Sequence, residues 1–302
     1  KYVKENEVTD VLVGKQTILL TSDRTGFTNI YLYNLNGQLL RTVTNNRYDV
    51  TAVYGYDERT GDVYFQAASD NPHERQLFVS HKNGKTDRLS TQAGWNTAMF
   101  SGDYRYFIKT WSDLNTPAVC TLCDQKGKEL KTLLDNASLK ERFANYRLAE
   151  REQFSFTTSE GIRLDGWMVK PADFSPSKQY PVIMHQYSGP GSQQVVNAWH
   201  AGSMGQGGIF DYYLAQQGFI VVTVDGRGTG ARGSEFEKCT FLRLGDLESK
   251  DQVEAAIWLG RQPYVDKQRI GIWGWSYGGF NTLMSMSEGR PVFRAGVAVA
   301  PP

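Results

Sequence analysis

The sequence predicts two domains of different fold class, a partial all-β propeller followed by an α/β domain. Three observations support this prediction: a strand-rich repeat in residues 1–134, alternating apolar strands and helices from residue 135, and a glycine-flanked serine between a strand and a helix. A chain of 302 residues is long enough for two domains that each bury a hydrophobic core. The net charge of +1 gives no overall field that would attract nucleic acid, so no nucleic-acid partner is expected.

The first 134 residues contain three copies of one pattern. In each copy a Ser-Asp pair is followed, 14 residues after the aspartate, by a glycine in a hairpin-turn sequence. The aspartates are Asp23, Asp70 and Asp113, and the glycines are Gly37, Gly84 and Gly127. Apolar strands flank these markers, and four strands in about 40–50 residues is the length of one propeller blade. A row of unrelated hairpins in a β-sandwich is the alternative, which the constant spacing disfavours.

The residues after 134 alternate between apolar strands and helices. The predicted strands are Gln153–Thr158, Leu164–Val169, Pro181–Tyr187, Phe219–Asp225, Ile270–Trp275 and Gly296–Ala300. The predicted helices are Leu139–Tyr146, with a capping box from Ser138 to Glu141, and then Asp211–Gln217, Asp246–Leu259 and Gly278–Ser287. Strands that are apolar on both faces are typical of a parallel sheet covered by helices, which predicts an α/β domain.

One motif in this second domain indicates chemistry. The stretch Gly274–Gly279 reads Gly-Trp-Ser-Tyr-Gly-Gly, and it joins a predicted strand to a predicted helix. This context predicts a nucleophile elbow, a tight turn that exposes the hydroxyl of Ser276 and tolerates no bulk at its glycine neighbours. The backbone N–H of Tyr277 would then point at a developing oxyanion. A glycine-rich turn without chemistry is the alternative, but it does not explain the central serine.

A serine nucleophile needs a base, usually a histidine that a carboxylate orients. All four histidines precede Ser276, and the 26 residues that follow it contain neither histidine nor aspartate. Their single acid, Glu288, falls at the end of the predicted helix. His185 lies within a predicted strand, which favours a packed or surface histidine over a catalytic one. The sequence therefore predicts that the catalytic base lies outside this chain.

The cysteines indicate neither a disulfide framework nor a metal site. Three cysteines are too few for such a framework. Cys120 and Cys123 lie three residues apart in an apparent strand, so their side chains point to opposite faces and are poorly placed to share a metal ion. We interpret both, and Cys239, as ordinary packing thiols. No stretch approaches the roughly 18 consecutive apolar residues of a transmembrane helix.

With these motifs the sequence resembles the prolyl oligopeptidase family of serine peptidases, and within it the bacterial type of the dipeptidyl peptidase IV branch. The resemblance depends on the elbow, on the strand Arg269–Trp273 before it, and on the stretches Gln186–Gln194, Val224–Gly230 and Ala295–Pro301. The family also has a β-propeller ahead of its hydrolase domain. The resemblance therefore implies that residues 1–134 are the last propeller blades and that residues 135–302 are the N-terminal two-thirds of an α/β-hydrolase peptidase domain.

The resemblance implies roles for three residues. Ser276 would be the acylating nucleophile. Tyr187 would donate its phenol O–H to the oxyanion beside the Tyr277 N–H, and a neutral tyrosine is a suitable donor at neutral pH. The ring of Tyr277 would also wall the pocket for the substrate's proline. The alternative for Tyr187 is a residue that ends a strand in a Gly-Pro turn.

The implied activity is that of a serine exopeptidase that releases N-terminal Xaa-Pro or Xaa-Ala dipeptides through an acyl-enzyme. The expected partners are peptides with a penultimate proline or alanine, no metal or organic cofactor is expected, and family members are often homodimers. The chain itself does not indicate a compartment, although bacterial members imply a periplasmic or secreted protein. We expect an internal segment of a longer protein. The family's catalytic Asp and His would follow Pro302, and its amine-binding glutamate pair would precede Lys1. The isolated chain is therefore expected to be inactive.

Two other functions stay open at this point. Another hydrolase of the same family, such as a tripeptidyl peptidase, an acylaminoacyl peptidase or an esterase, would share the elbow. A non-catalytic propeller-bearing binding protein with a vestigial hydrolase domain is the second alternative. The intact Ser276 argues against it, and the missing base keeps it open.

Overall fold

The computed structural model describes residues 11–13, 17–146, 148–203 and 208–302. These residues form two compact units. The first holds the described residues up to Ala137 together with Ala231–Glu235, and the second holds those of Ser138–Gly230 and Phe236–Pro302. No helix among the described residues is long and apolar enough to cross a membrane.

The first unit contains three four-stranded antiparallel sheets, each formed by four consecutive strands. The first sheet is β1 (Val11–Val13), β2 (Thr17–Ser22), β3 (Asn29–Asn34) and β4 (Leu39–Thr42). The second is β5 (Val50–Asp57), β6 (Asp62–Ala67), β7 (Gln76–Ser80) and β8 (Thr86–Arg88). The third is β9 (Trp95–Phe100), β10 (Tyr106–Ser112), β11 (Val119–Asp124) and β12 (Glu129–Leu134). The predicted propeller blades are confirmed.

The repeat in the sequence marks the same two loops in every blade. The aspartates Asp23, Asp70 and Asp113 follow the second strand of their sheets, and the glycines lie in the turn between the third and fourth strands. These glycines have positive φ, 78° at Gly37, 86° at Gly84 and 83° at Gly127. Glycine adopts a positive φ without the steric penalty that a Cβ brings. The turn conformation therefore explains why a glycine recurs at this position of the sequence repeat.

Neighbouring blades pack through the alternate faces of their strands. Leu19 and Ile30 of the first sheet form a buried cluster with Val63 and Phe65 of the second. The residue between them, Tyr64, points the other way and packs in a cluster that includes residues of the third sheet, Phe107 and Cys123. Because side chains alternate along a strand, one central blade supplies a core on each side.

The five-residue segment Ala231–Glu235 belongs to the first unit although its sequence neighbours belong to the second. The Gly233 N–H donates to Asp49 Oδ2 at 2.8 Å, and the Ser234 N–H donates to Gly26 O at 2.8 Å. The other oxygen of Asp49 accepts the Thr28 N–H at 2.7 Å. One buried carboxylate therefore holds both a blade loop and this segment.

The second unit is built on a six-stranded mixed sheet in the order β13-β14-β16-β15-β17-β18. Its strands are β13 (Arg151–Thr157), β14 (Arg163–Val169), β15 (Tyr180–His185), β16 (Ile220–Asp225), β17 (Val265–Trp275) and β18 (Ala295–Val299). The last four pair in parallel, as predicted for this domain. The first two pair antiparallel, because β13 and β14 form a hairpin added at one edge.

Five helices are described along the chain. They are α1 (Ala137–Ala144), α2 (Ile209–Gln216), α3 (Ser234–Lys238), α4 (Asp246–Leu259) and α5 (Tyr277–Met286). The predicted capping box is wrong, because α1 begins at Ala137 and the Ala137 N–H donates to Asp135 Oδ1 at 2.9 Å. Ser138 therefore lies inside the first turn. The short helix α3 has no periodic signal in the sequence.

The two faces of the mixed sheet differ. One face forms the main core, in which Leu164, Val182 and Ile272 pack with Leu259 of α4. On the opposite face of β15, β17 and β18 an apolar pocket of about 1230 Å³ is open, and its lining includes Ile183, Phe210, Trp273, Trp275 and Val297.

Candidate active site

Ser276 occupies the tight turn between β17 and α5. Its φ of 55° and ψ of −120° are rare for a residue with a Cβ, and such a conformation costs about 1–3 kcal/mol. Two backbone hydrogen bonds hold it: the Ser276 N–H donates to Val299 O at 2.9 Å, and the Phe280 N–H donates to Ser276 O at 3.0 Å. The side chain is exposed. The strained turn therefore presents the hydroxyl to solvent.

The glycines on both sides of Ser276 are required by close backbone approach. A Cβ at Gly274 would lie 2.5 Å from the carbonyl oxygens of both Gln186 and Gly278. A Cβ at Gly278 would lie 2.5 Å from the same Gln186 oxygen. Contacts this short exclude any side chain, so the end of β15 is wedged between the two glycines.

Tyr187 follows β15 and lies beside the first turn of α5. A Cβ at Gly278 would be 3.1 Å from Tyr187 Cα, and the ring centroids of Tyr187 and Tyr277 are 6.1 Å apart. The Tyr187 side chain is half-buried, and its hydroxyl makes no hydrogen bond to any residue that the structure describes. The structure thus brings Ser276, Tyr187 and Tyr277 together and leaves a donor free on Tyr187.

Tyr277 contributes both its backbone and its ring at this place. As the first residue of α5, it has an N–H without an acceptor inside the helix. Its hydroxyl donates to Glu248 Oε1 at 2.8 Å, and its ring packs edge-on against Phe280 at 5.4 Å. Burial and the bond to Glu248 raise the pKa of Tyr277. The ring is therefore neutral and fixed at neutral pH.

Glu248 supports Tyr277 from the first turn of α4. Its side chain is fully buried, and its second oxygen accepts the Gly245 N–H at 3.0 Å. Burial raises the pKa of Glu248. Sequence reasoning missed this residue and also Gln186, whose side chain contacts α5. The only signal for Gln186 was its place in the stretch Gln186–Gln194.

No histidine bonds to the nucleophile within the described chain. His185 is buried at the end of β15 and packs on Trp273, with ring centroids 4.7 Å apart. His81 lies in the first unit between Asp62 and Asp87. The described residues include no group of three or more His, Cys, Asp or Glu side chains that could hold a metal ion.

Acid is expected to destabilise the protein through His185. Burial lowers the pKa of His185 to about 4, whereas the unfolded value is about 6.5. Between these values the unfolded state binds a proton that the folded state does not. The contribution to the free energy of unfolding is therefore complete above about pH 6.5 and falls as the pH drops toward 4, by about 3 kcal/mol in total. His185→Leu should remove this dependence, measured by urea unfolding of the full-length protein at pH 4 and pH 7.5.

His81 is a control of opposite sign. Partial burial lowers the pKa of His81, but hydrogen bonds to Asp62 at 3.0 Å and Asp87 at 3.1 Å outweigh it, and the pKa is raised. Its contribution is complete below about pH 6.5 and is lost as the pH rises through the folded pKa. His81→Gln should therefore cost more stability at pH 5.5 than at pH 8. Equal effects of His185→Leu at both pH values would contradict the role of His185.

Two family models match the chain. Residues 1–118 match the model described as the dipeptidyl peptidase IV N-terminal region. Residues 210–302 match the model of the prolyl oligopeptidase family. The described residues of the first match lie in the blades, and the second match contains the elbow.

Individual proteins resemble the chain over nearly all its length. Dipeptidyl peptidase 4 of Trichophyton equinum is 33% identical over 296 residues, which are 95% of this chain and 37% of the fungal protein. Dipeptidyl peptidase 4 of Arthroderma otae is 32% identical over the same shares. The crystal structure of Porphyromonas gingivalis dipeptidyl peptidase 4 matches with a TM-score of 0.88 and 45% identity, over 96% of this chain and 40% of that one. The chain thus spans less than half the length of these proteins.

Proposed function

We infer that this chain, which belongs to the prolyl oligopeptidase family of serine peptidases, is part of a serine-type dipeptidyl peptidase. The observation that carries the proposal is the exposed Ser276 in its strained turn, together with the neighbouring pair of Tyr277 and Tyr187, whose hydroxyl has no partner among the described residues. The dipeptidyl peptidases that it resembles support the choice of substrate. In this proposal residues 1–134 are propeller blades that help to recognise the peptide, and residues 135–302 carry the nucleophile.

The proposed reaction proceeds through an acyl-enzyme on Ser276. The Ser276 Oγ attacks the carbonyl carbon of the second residue of the peptide, and its proton passes to a base supplied by the rest of the protein. The oxyanion would accept hydrogen bonds from the Tyr277 N–H and the Tyr187 O–H. Collapse breaks the C–N bond and protonates the leaving amine, and water then attacks the ester to release the dipeptide.

The specificity in this proposal is for a proline or alanine as the second residue. The ring of Tyr277, fixed by Glu248 and Phe280, offers a flat apolar wall. Such a wall suits proline, whose nitrogen in a peptide bond has no proton to donate. The peptide substrates and the homodimer implied by the family stand as parts of the same proposal.

The test compares free and blocked substrates on the full-length protein. We expect rapid cleavage of Gly-Pro-p-nitroanilide. Cleavage of the succinyl-blocked form should be at least about 100-fold slower, because the glutamate pair that binds the substrate's ammonium group in this family would be left unpaired. The Ser276→Ala variant is the negative control for both substrates. Equal cleavage of both substrates would favour an acylaminoacyl peptidase or esterase instead.

A fluorophosphonate probe separates the enzymatic from the non-catalytic alternative. The full-length protein should be labelled at Ser276, because the probe reacts with activated serines. The isolated 302-residue chain should not be labelled, since none of its described histidines bonds to Ser276. Labelling of the isolated chain would contradict this part of the proposal, and no labelling of the full-length protein would favour a binding protein.

A further inference from the structure

The side chain of Gln186 joins the strand that precedes Tyr187 to the helix that follows Ser276. It is fully buried. Its Nε2 donates to Gly278 O at 2.6 Å and to Thr282 Oγ1 at 3.0 Å. Its Oε1 accepts from Asn281 Nδ2 and Ser188 Oγ, both at 2.9 Å. Both donors of the amide and both lone pairs of its oxygen are therefore used, three of the four by α5.

The backbone of Gln186 contacts both β17 and the elbow. Its N–H donates to Trp273 O at 3.1 Å. Its carbonyl oxygen occupies the space that a side chain at Gly274 or Gly278 would need. The strand before the elbow, the elbow and the helix after it thus all contact this one residue.

The residue after Tyr187 is fixed as well. Ser188 is buried and has a φ of 62°, which is rare for serine. Its hydroxyl accepts from Gln252 Nε2 at 3.2 Å, and Gln252 also donates to Val224 O at 2.9 Å. Tyr187 therefore lies between two residues with hydrogen-bonded side chains, Gln186 and Ser188, while its own hydroxyl has no partner in the described chain. This arrangement directs the phenol while leaving its O–H free.

We propose that Gln186 is a positioning residue that sets the place of the Tyr187 hydroxyl relative to Ser276 and the Tyr277 N–H. The inference rests on the proposed function, because it assumes that these groups act on one oxyanion. Donors in such a site act at about 2.7–3.1 Å from the oxyanion. A misplacement of about 1 Å can cost about 10²-fold in rate. Because the buried Gln186 side chain connects the segments that carry the two donors, its loss should lower kcat and leave KM nearly unchanged.

The first test is Gln186→Met in the full-length protein. Methionine keeps the length and removes all four hydrogen bonds. We expect kcat for Gly-Pro-p-nitroanilide to fall about 10- to 100-fold with KM within threefold, and fluorophosphonate labelling to slow by a similar factor. The matched control is Gln76→Met, which removes a fully buried glutamine bonded to Ser90, Asn96 and Gln92 in the propeller unit. It should lower the melting temperature and leave kcat unchanged.

A double-mutant cycle with Tyr187→Phe separates positioning from general destabilisation. If Gln186 acts through the Tyr187 hydroxyl, the double variant should lose much less rate than the product of the two single losses. Multiplicative losses, an unchanged kcat in Gln186→Met, or an equal kcat loss in Gln76→Met would each overturn the proposal. If Gln186→Met does not fold, Thr282→Val decides in its place, because it removes one hydrogen bond to Gln186. We then expect a loss of about 3- to 10-fold in kcat, and an unchanged kcat would overturn the proposal.

The same measurements distinguish this inference from the proposed function. A wild-type protein that is labelled by fluorophosphonate but does not cleave Gly-Pro-p-nitroanilide would contradict the dipeptidyl peptidase activity alone, and the labelling rates would still test Gln186. A wild-type protein that cleaves the substrate, with a Gln186→Met variant that cleaves it equally well, would contradict the positioning role alone.

Discussion

Replacement of Ser276 by alanine is expected to lower kcat of the full-length protein by about 10⁶-fold, to the level left by the oxyanion donors and substrate binding. The alanine keeps the Cβ and therefore keeps the strained turn, so the free energy of unfolding should change by less than about 0.5 kcal/mol. The measurement is turnover of Gly-Pro-p-nitroanilide, with chemical denaturation to confirm folding. The control is Ser287→Ala at the far end of α5, an exposed serine whose hydroxyl bonds, among the described residues, to helix carbonyls.

Ser276→Gly adds a test of the strain itself. Glycine adopts a φ of 55° without the Cβ penalty, so this variant should be as inactive as Ser276→Ala but more stable than wild type by about 1 kcal/mol. Residual activity above about 1% in either variant would mean that another residue is the nucleophile. A destabilised Ser276→Gly would mean that the turn stores no strain.

Tyr187→Phe is expected to lower kcat by about 10²- to 10³-fold with little change in KM, because it removes one of the two oxyanion donors. The Tyr187 hydroxyl has no partner among the described residues, and the ring contact with Tyr277 at 6.1 Å is kept. The stability should therefore be unchanged. Steady-state kinetics and thermal unfolding of the full-length variant measure the two effects separately.

Tyr213→Phe is the matched control for this substitution. Tyr213 is 56% exposed on α2, so loss of its hydroxyl should change neither kcat nor stability. If Tyr187→Phe keeps kcat within threefold of wild type, Tyr187 only packs at the end of β15. The alternative role left open by the sequence would then be correct.

The features that could be predicted from the sequence are those whose cause is local. The blade repeat is visible because each turn needs a glycine with positive φ, as at Gly37 and Gly84. The elbow is visible because Gly274 and Gly278 must lack a Cβ. Helix α4 was predicted with its observed end because Gly260 follows its last residue, Leu259, and a glycine commonly ends a helix.

The features that escaped prediction depend on partners far apart in the sequence. Gln186 bonds to Gly278, 92 residues later, and the Tyr277 hydroxyl bonds to Glu248, 29 residues earlier. A buried glutamine or glutamate has no periodic pattern that separates it from a surface one. The start of α1 was missed because Asp135 accepts the first helix N–H in place of Ser138. Two polar residues near a helix start compete for that role, and only the chain path decides between them.

The apolar pocket on the mixed sheet should lower the solubility of this 302-residue chain when it is produced by itself. Val297 is 58% exposed and Trp275 is 53% exposed, and both line it together with Trp273. Bare surface of this kind binds environment-sensitive dyes and promotes self-association. The 302-residue polypeptide produced by itself is therefore expected to aggregate at concentrations at which most proteins of its mass stay in solution. A mild detergent or a highly charged fusion tag should keep it in solution.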